Sequence, residues 1–465
     1  MKKEIKSGSH QKSARRRLHA AVRSLLFADL LAVMVLAPLA YGAVEAWSVA
    51  LFELNALLLA VLLALKFVLK PESKFRFHPL MLPLVALLLL GLVQIWPLHL
   101  FSQAAPAGSP AADAGTGTLS LDPYSTQQTV VKLLALLIYF VVAIKLFGNR
   151  ERLRVTLVVL TWFGFALAFF GIIQKLTWNG RLYWVRPISA GVPFGPFVNY
   201  NHFAGLMEML FALPFAYLLF GEVSREKRAL WFFASVMMAG SIVVSLSRGG
   251  LLALGIEIIT FGVISRLLRK RWRTSAIPKA FAYSALAAIA LLALWISYDQ
   301  LAERWKNLSS SATELSVAGR IEAWRNSWTM IREHPLTGIG LGAFPAIYPH
   351  YGQSSAYHER LEQAHNDYLQ LLTDGGLIGG LIGLWFLVEL LRLVWRQWQK
   401  ISADRAGSRF ERSLTIGSLI AVLGLLIHSF TDFNLQITSN SLFFLIMIAI
   451  AASFDRQSEP PTTEH

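Results

Sequence analysis

The sequence predicts an all-α protein that crosses a membrane many times. Of its 465 residues, 55% are hydrophobic and only 15% are charged, whereas soluble proteins carry about a quarter charged residues. Apolar runs of roughly 17–22 residues, long enough to cross a bilayer as a helix, recur through most of the chain. The absence of cysteine excludes disulfides, thiolate metal ligands and a cysteine nucleophile.

Tracing the apolar runs predicts twelve transmembrane helices, nine within 25–297 and three within 377–455. The first run could be a signal peptide that ends near Ala43, but an uncleaved span is favoured because hydrophobic segments continue and no soluble domain follows. The predicted spans are 25–44, 47–69, 79–97, 128–147, 155–174, 203–220, 230–247, 250–266, 280–297, 377–396, 413–430 and 440–455.

The distribution of basic residues predicts the orientation. With the N-terminus in the cytoplasm, cytoplasmic segments hold 32 of the 43 lysines and arginines, as the positive-inside rule requires. The basic tail 1–24 and the tail 456–465 are then cytoplasmic, and the long polar segment 298–376 faces the periplasm or its equivalent. This sorting explains the net charge of +15 without any nucleic acid.

The polar segment 298–376 is the densest set of groups able to do acid–base chemistry. It holds four of the eleven histidines, which are His334, His350, His358 and His365. Its characteristic pieces are Arg320-Ile321-Glu322-Ala323-Trp324-Arg325, His334-Pro335-Leu336-Thr337-Gly338-Ile339-Gly340 and Ala364-His365-Asn366-Asp367-Tyr368-Leu369-Gln370.

The first piece lies in a predicted amphipathic helix, Gly319 to His334, which Pro335 ends. Its apolar positions recur at helical spacing, at Ile321, Trp324, Trp328 and Ile331. We expect this helix to lie on the outer membrane surface or to cap the bundle. Arg320 falls in its first turn, where free backbone N–H groups favour an anion such as phosphate. The alternative is a solvated arginine on a surface helix.

A second arginine stands at a predicted span end, in Ser247-Arg248-Gly249-Gly250. An arginine at membrane depth is costly unless it snorkels or meets an anion. Interface snorkelling is therefore one interpretation of Arg248. The neighbouring glycines, which allow a ligand to approach the backbone, favour a binding site.

His365 is the candidate base. We expect it to begin a helix that runs through Leu372, with Glu362 one turn earlier to orient the ring and raise its basicity. A lone histidine is more often structural than catalytic. Asn366 and Asp367 beside it, in an outward segment with two anion-seeking arginines, favour catalysis.

Another outward loop, 175–202, combines aromatic residues and arginines and ends at Asn199-Tyr200-Asn201-His202. It suits a sugar or a lipid headgroup, and an ordinary interfacial aromatic belt is the alternative. Three carboxylates lie within spans, Glu53, Glu208 and Glu257. Of these, Glu208 is the best candidate to line a cavity below His202, and internal pairing is the alternative for all three.

The motifs do not predict a metal site. His358-Glu359-Arg360-Leu361-Glu362 resembles a zinc-protease helix until its last position, where glutamate replaces the second histidine. The chain has no Asp-x-Asp pair to hold a sugar-nucleotide metal. The glycine-rich run Gly338 to Gly342 lacks the lysine of a phosphate loop and predicts a turn.

Together, the three pieces in the polar segment resemble the signature loop of the bacterial O-antigen ligase and polymerase superfamily. Asn199 to Gly205 and Ser247-Arg248-Gly249 are similar to its flanking motifs. The resemblance covers about 190–435. It implies a C-type-like membrane fold with a long periplasmic helical loop between helices nine and ten.

The resemblance also implies an activity, that of a metal-independent, inverting glycosyltransferase without a cofactor. Its donor would be a glycan on undecaprenyl diphosphate at the periplasmic face of the inner membrane. The acceptor is a lipid A–core sugar in ligases and a growing lipid-linked glycan in polymerases.

The same resemblance implies roles for residues. The two diphosphate-binding arginines would be Arg248 and Arg320, and the base His365, with Glu362 and Asp367 as further catalytic candidates. The remaining candidates for substrate binding are Arg325, Asn199, His202 and Asn366.

A transporter or a flippase of lipid-linked sugars is the competing hypothesis. Twelve spans with cytoplasmic termini fit it equally well. A major-facilitator chain usually has a long cytoplasmic loop between spans six and seven, whereas 221–229 is short here and the largest polar segment lies outside. A scaffold for an envelope assembly would leave the arginines and histidines unexplained.

Overall fold

The computed structural model describes residues 2–70, 77–97, 117–188, 191–268, 317–352, 361–403 and 408–454. These residues are nearly all helical; the one strand pair among them is a short hairpin that joins Arg181–Leu182 to Arg186–Pro187. The helices are α1 (Lys2–Leu39), α2 (Ala46–Leu69), α3 (Met81–Ile95), α4 (Pro123–Leu146), α5 (Arg150–Leu176), α6 (Tyr200–Phe220), α7 (Arg225–Ser245), α8 (Arg248–Leu268), α9 (Val317–Glu333), α10 (Phe344–Ile347), α11 (Asp367–Ser402), α12 (Arg409–His428) and α13 (Thr438–Ser453).

The prediction of a multi-pass, all-α membrane protein is confirmed. Within the described ranges, nine helices are long and apolar enough to cross a membrane. Two shorter apolar helices, α3 and α13, fall on the third and twelfth predicted spans. The predicted span 280–297 lies outside the described residues, so the count of twelve and the C-type-like arrangement remain predictions.

Helix α1 begins at Lys2, well before the first predicted span at residue 25. Hydropathy detects only the part of a helix that lipid can cover, whereas lysine and arginine are good helix formers in water. The basic tail 1–24 therefore continues the first membrane helix instead of preceding it.

Two helices form the centre of the bundle. Most side chains of α6 and all those of α13 are buried, as expected for helices that are apolar all round. Close approach between helices depends on small residues: a Cβ at Gly417 of α12 would lie 2.7 Å from Ala216 of α6. This contact joins the last turns of α6 to the first half of α12, and the two helices run antiparallel, so that Glu208 near the start of α6 meets His428 at the end of α12, beside the candidate site.

Helix α11 is interrupted at Gly376, whose φ of 60° and ψ of −156° are not helical. Across this break the segment 334–340 runs alongside the helix, with Ile339 N donating to Thr373 O at 3.0 Å and Leu377 N donating to Pro335 O at 2.8 Å. The turn predicted at Gly338 to Gly342 is confirmed, because Gly338 and Gly340 have φ values of 68° and 114° that favour glycine. This glycine-rich run braces α11 below its first turns.

Helix α9 confirms the predicted amphipathic helix. Ile321 and Trp328 are both 49% exposed. The face packed on the bundle carries smaller residues at helical spacing, including Ala323, Ser327 and Met330. Exposed apolar side chains are what a helix on the outer membrane surface, the first of the two expected placements, would carry.

Candidate active site

The candidate site lies at the end of the bundle where α6, α8 and α11 begin and α12 ends. Hydrogen bonds join these segments: the Ser247 hydroxyl donates to Asn201 Oδ1 at 2.7 Å, and the Ser429 hydroxyl donates to Asp367 Oδ2 at 2.7 Å. The start of α8 is thereby fixed to α6, and the start of α11 to the connection after α12. Segments far apart in sequence share one polar centre.

Asp432 is the middle of that centre, between two histidines. Its Oδ1 lies 3.5 Å from His365 Nδ1 and 3.7 Å from His202 Nε2. Phe433 packs edge-on against both rings, at centroid distances of 4.8 Å from His365 and 4.7 Å from His202. Only 1% of the Asp432 side chain is exposed, against 14% for His365, so the histidine offers the accessible edge.

The two rings determine the charge of Asp432. Burial alone would raise the pKa of this carboxyl, but its interactions with His202 and His365 outweigh burial and hold the pKa well below its ordinary value. Asp432 is therefore a permanent negative charge beside the two rings. Such a carboxylate can orient an imidazole and stabilise the charge that forms when the ring takes a proton from a substrate.

The prediction that His365 begins a helix is wrong, because His365 lies two residues before the start of α11 at Asp367. Its φ of 50° is left-handed, a conformation that costs energy in a residue other than glycine. Asn366 is the N-cap of α11, and its Oδ1 accepts from Tyr368 N and Leu369 N at 3.0 Å. The cap delays the helix to Asp367 and leaves the His365 ring free to face Asp432.

The carboxylate that contacts His365 is Asp432 and not the predicted Glu362, whose side chain is exposed. Asp367 is buried, and its Oδ2 accepts from the Ser429 hydroxyl and, at 2.9 Å, from Leu435 N. Asp367 thus holds both ends of the connection that carries Asp432. This contact makes it a positioning residue in the structure.

Arg248 is exposed at the first residue of α8. The Ser247 hydroxyl before it accepts from Gly250 N at 3.1 Å and caps the helix. The preceding Leu246 adopts a left-handed φ of 62° that ends α7 and turns the chain sharply into α8. The arginine therefore stands at a helix N-terminus whose position Ser247 fixes to α6.

Arg320 lies on the side of α9 that faces His365. Trp324, one turn further along the same side, donates its indole N–H to Ala364 O at 3.0 Å. The Nε of Arg320 is buried and has no hydrogen-bond partner among the described residues. A buried guanidinium donor without a partner is costly, so this position suits an anionic ligand.

Arg325 is separated from Arg320 by the helix itself, because five residues turn an α-helix by roughly 140° beyond a full turn. It lines a surface cavity of about 720 Å³ together with Ile321, Glu322, Asn326, Thr329, His350 and Tyr351. The structure thus brings Arg320 to the His365 side and leaves Arg325 on another face.

The remaining predicted binding residues have local roles. Asn199 is the N-cap of α6, accepting from Asn201 N at 2.8 Å, as Asn366 is for α11. Within the described ranges no group of three or more histidines and carboxylates is arranged to hold a metal ion. The sequence His358-Glu359-Arg360 lies outside the described residues.

Asp432 and Phe433 were not predicted from the sequence. They lie in the connection between α12 and α13, which is short and contains no recognised sequence motif. One signal was available: Ser429, Asp432 and Asn434 are polar residues next to a predicted span end at 430, on the same side as the polar segment. A carboxylate there needs a partner.

Comparison with known families bears on this geometry. Residues 233–384 match the protein family described as O-antigen ligase. The match begins in α7 and includes Arg248, Arg320 and His365, and it ends before Asp432. It confirms the predicted superfamily over this part of the chain. No curated protein matches the chain.

Proposed function

Because residues 233–384 match the O-antigen ligase family, we propose that this chain transfers a glycan from undecaprenyl diphosphate to a sugar hydroxyl. The reaction takes place at the periplasmic face of the bacterial inner membrane, and both termini are cytoplasmic. The observation that carries this proposal is the convergence of two arginines of the matched segment on the end of the bundle that holds His365 and Asp432.

The donor diphosphate is bound by Arg248 and Arg320. It is the leaving group, already acidic, so it needs stabilisation of charge more than a proton. The planar guanidinium donates two parallel hydrogen bonds to phosphate oxygens. Arg248 adds the N-terminus of α8, where backbone N–H groups and the helix dipole also favour an anion.

His365 removes the acceptor's proton. The acceptor oxygen attacks the anomeric carbon on the face opposite the diphosphate, the new glycosidic C–O bond forms as the bond to the diphosphate breaks, and the configuration inverts. The hydroxyl proton goes to His365, and the bond's electrons leave with the lipid diphosphate. Asp432 stabilises the resulting imidazolium and holds the ring in place. This sequence of steps uses neither a metal nor a cofactor.

Other residues of the site hold substrates or the base. His202, on the far side of Asp432, and Asn366 and Asn199, at the caps of α11 and α6, shape the wall around the acceptor. Arg325, on a separate face of α9, is suited to sugars of the glycan more distant from the diphosphate. Asp367 positions the connection that carries Asp432.

The acceptor separates the two activities of the superfamily. Purified protein in detergent or liposomes is given lipid-linked glycan with lipid A–core or with no second acceptor. Glycan on the core identifies a ligase, and a longer lipid-linked chain identifies a polymerase. If neither product formed under conditions in which the protein binds the donor, the proposal would be rejected. The His365→Ala protein is the negative control.

The transporter or flippase hypothesis has no comparable support, since the family that matches is described by a ligase activity. It predicts movement of the lipid-linked glycan across liposomes without a new glycosidic bond. The same purified protein and donor test it directly.

A further inference from the structure

A buried glutamate–histidine pair lies directly beneath the candidate site. His428, the last residue of α12, places its Nδ1 3.3 Å from both carboxylate oxygens of Glu208 in α6. Their side chains are 1% and 0% exposed. Glu208 is therefore paired inside the protein, which was the alternative interpretation of this residue. Neither Glu208 nor His428 takes part in the mechanism proposed above.

The other edge of the His428 ring faces the first turn of α8. A Cβ at Gly249 would lie only 2.6 Å from His428 Nε2 and 2.6 Å from Thr431 Oγ1. Only glycine allows this approach, and Gly249 is the residue next to Arg248. The ring therefore determines how closely the start of α8 packs on the end of α12.

The backbone of His428 is joined to the connection that carries Asp432. Its carbonyl accepts from Thr431 N at 2.9 Å and from the Thr431 hydroxyl at 3.1 Å. The next residue, Ser429, donates to Asp367. Asp432 and Asp367 also lie within electrostatic range of His428. One residue thus contacts the arginine's helix through its ring and the aspartate's connection through its backbone.

Stability alone does not account for a polar pair in this place. A buried ion pair contributes little net stability compared with apolar residues of similar volume. What two carboxylate oxygens around one ring nitrogen do provide is a fixed ring orientation. A free ring would rotate, and the first turn of α8 would lose the surface on which it rests.

We propose that Glu208 and His428 form a positioning pair that holds Arg248, through Gly249, at a set distance from the connection carrying Asp432. The catalytic meaning of this pair rests on the proposed function, because the distance it sets is the one between the donor's diphosphate and the base. The pair itself touches neither substrate.

The distance can be measured without activity. Since the chain has no cysteine, spin labels can be attached at cysteines introduced for Leu251 in α8 and Phe430 after α12, which are 38% and 57% exposed. We expect one narrow distance in the otherwise unchanged protein and a broadened or shifted one in Glu208→Gln and in Gly249→Ala. Glu208→Gln is nearly isosteric, which keeps the protein folded.

Glu257→Gln is the matched control. Glu257 is also a fully buried carboxyl, on α8 itself, and neither of its oxygens has a hydrogen-bond partner among the described residues. We expect the distance to be unchanged in this variant. A distance as narrow in Glu208→Gln as in the parent, or one broadened equally in Glu257→Gln, would overturn the proposal.

Transfer measured on the unlabelled variants provides the second readout. Misplacement by about 1 Å can cost on the order of a hundredfold, so Glu208→Gln and Gly249→Ala should each lower kcat/KM for the donor by tenfold to a hundredfold, with KM for the donor raised. Normal transfer in both variants would count against the pair. A distance that responds as expected in a protein with no transferase activity would refute the proposed function and leave the pair standing.

Discussion

Asp432 Oδ1 lies 3.5 Å from Nδ1 of His365, although one residue follows α12 and the other precedes α11. Neither belongs to a helix, and both are held by hydrogen bonds of their neighbours: Asn366 caps α11, and Asp367 accepts from Ser429 and Leu435. These hydrogen bonds attach both connections to the start of α11, which supports a base that no helix carries.

Asp432→Asn should reduce transfer roughly a hundredfold or more, because an amide carries no negative charge to stabilise the imidazolium. Donor binding should change little. The comparison is with Glu362→Gln, the other carboxylate considered for this role, which should be far milder since Glu362 is exposed. The opposite order of the two variants would return the orienting role to Glu362.

The pH dependence follows from the same pair. The pKa of Asp432 is held well below its ordinary value by the two histidines, which outweigh burial, so its carboxylate is present above that lowered pKa and is lost only in strong acid. The defect of Asp432→Asn should therefore be present throughout the neutral range and should shrink only near that lowered pKa, where the parent protein loses its own carboxylate. The measurement is the ratio of transfer rates of the parent and Asp432→Asn as a function of pH. A ratio that changed within the neutral range would mean that the carboxylate of Asp432 is not the group that supports the base.

His365→Ala should lose about 10²–10⁴-fold in transfer, the usual contribution of a general base, while the protein still inserts and binds donor. His350→Ala is the matched histidine control, because His350 is exposed at the surface cavity lined by Arg325. His365→Gln keeps a hydrogen bond and cannot take the proton. Near-normal transfer by that variant would reduce His365 to a positioning role.

The membrane helices of this protein could be predicted from the sequence. Lipid offers no hydrogen-bond partners, so a span must form a helix that satisfies its own backbone groups, and such a helix is recognised by its length and its apolar composition. Helix α9 was predicted for a similar local reason, the spacing of apolar residues before Pro335. The sequence left open which face of α9 packs on the bundle, because Ile321 and Trp328 can face either lipid or protein when both are apolar. The spacing of apolar residues identifies a helix, but it does not show whether the apolar face contacts protein or lipid.

The candidate site could be predicted only in part. His365, Arg248 and Arg320 stand in recognisable local patterns. The contact of His365 with Asp432 depends on how α11 and α12 end, and the pairing of Glu208 with His428 depends on how α6 packs against α12. Such contacts join distant segments, so local spacing led instead to Glu362, which is near His365 in the chain and exposed.

The orientation can be tested with a reporter that is active only outside the cytoplasm. Fused after Gly352, which follows α9 and α10, it should be active; fused after Ser224, between α6 and α7, it should be silent. A fusion after Ala403, at the end of α11, is the second silent control. The reverse pattern would place the arginines and His365 in the cytoplasm and remove the periplasmic site.

Three arginines, Arg248, Arg320 and Arg325, provide the sharpest comparison, because they have the same side chain at different positions. Each charge-assisted contact to the diphosphate contributes about 1.5–3 kcal/mol, so Arg248→Ala and Arg320→Ala should each lower transfer roughly tenfold to a hundredfold or more, mainly through the donor. Lysine should restore only part of this, because a point charge lacks the planar fork of arginine.

Arg325→Ala is the internal reference for this comparison. Arg325 occupies the same helix as Arg320, but the turn of α9 directs it to the surface cavity with His350 and Tyr351. We therefore expect its loss to leave binding of a donor with a single sugar intact and to weaken only donors with longer glycans. The measurement is donor affinity and transfer for both donor lengths in all three variants, at equal protein levels. If Arg325→Ala weakened the short donor as strongly as Arg320→Ala, the diphosphate would lie across α9 and not on the His365 side. If Arg248→Ala and Arg320→Ala both turned over normally, these arginines would anchor the protein at the interface and bind no diphosphate.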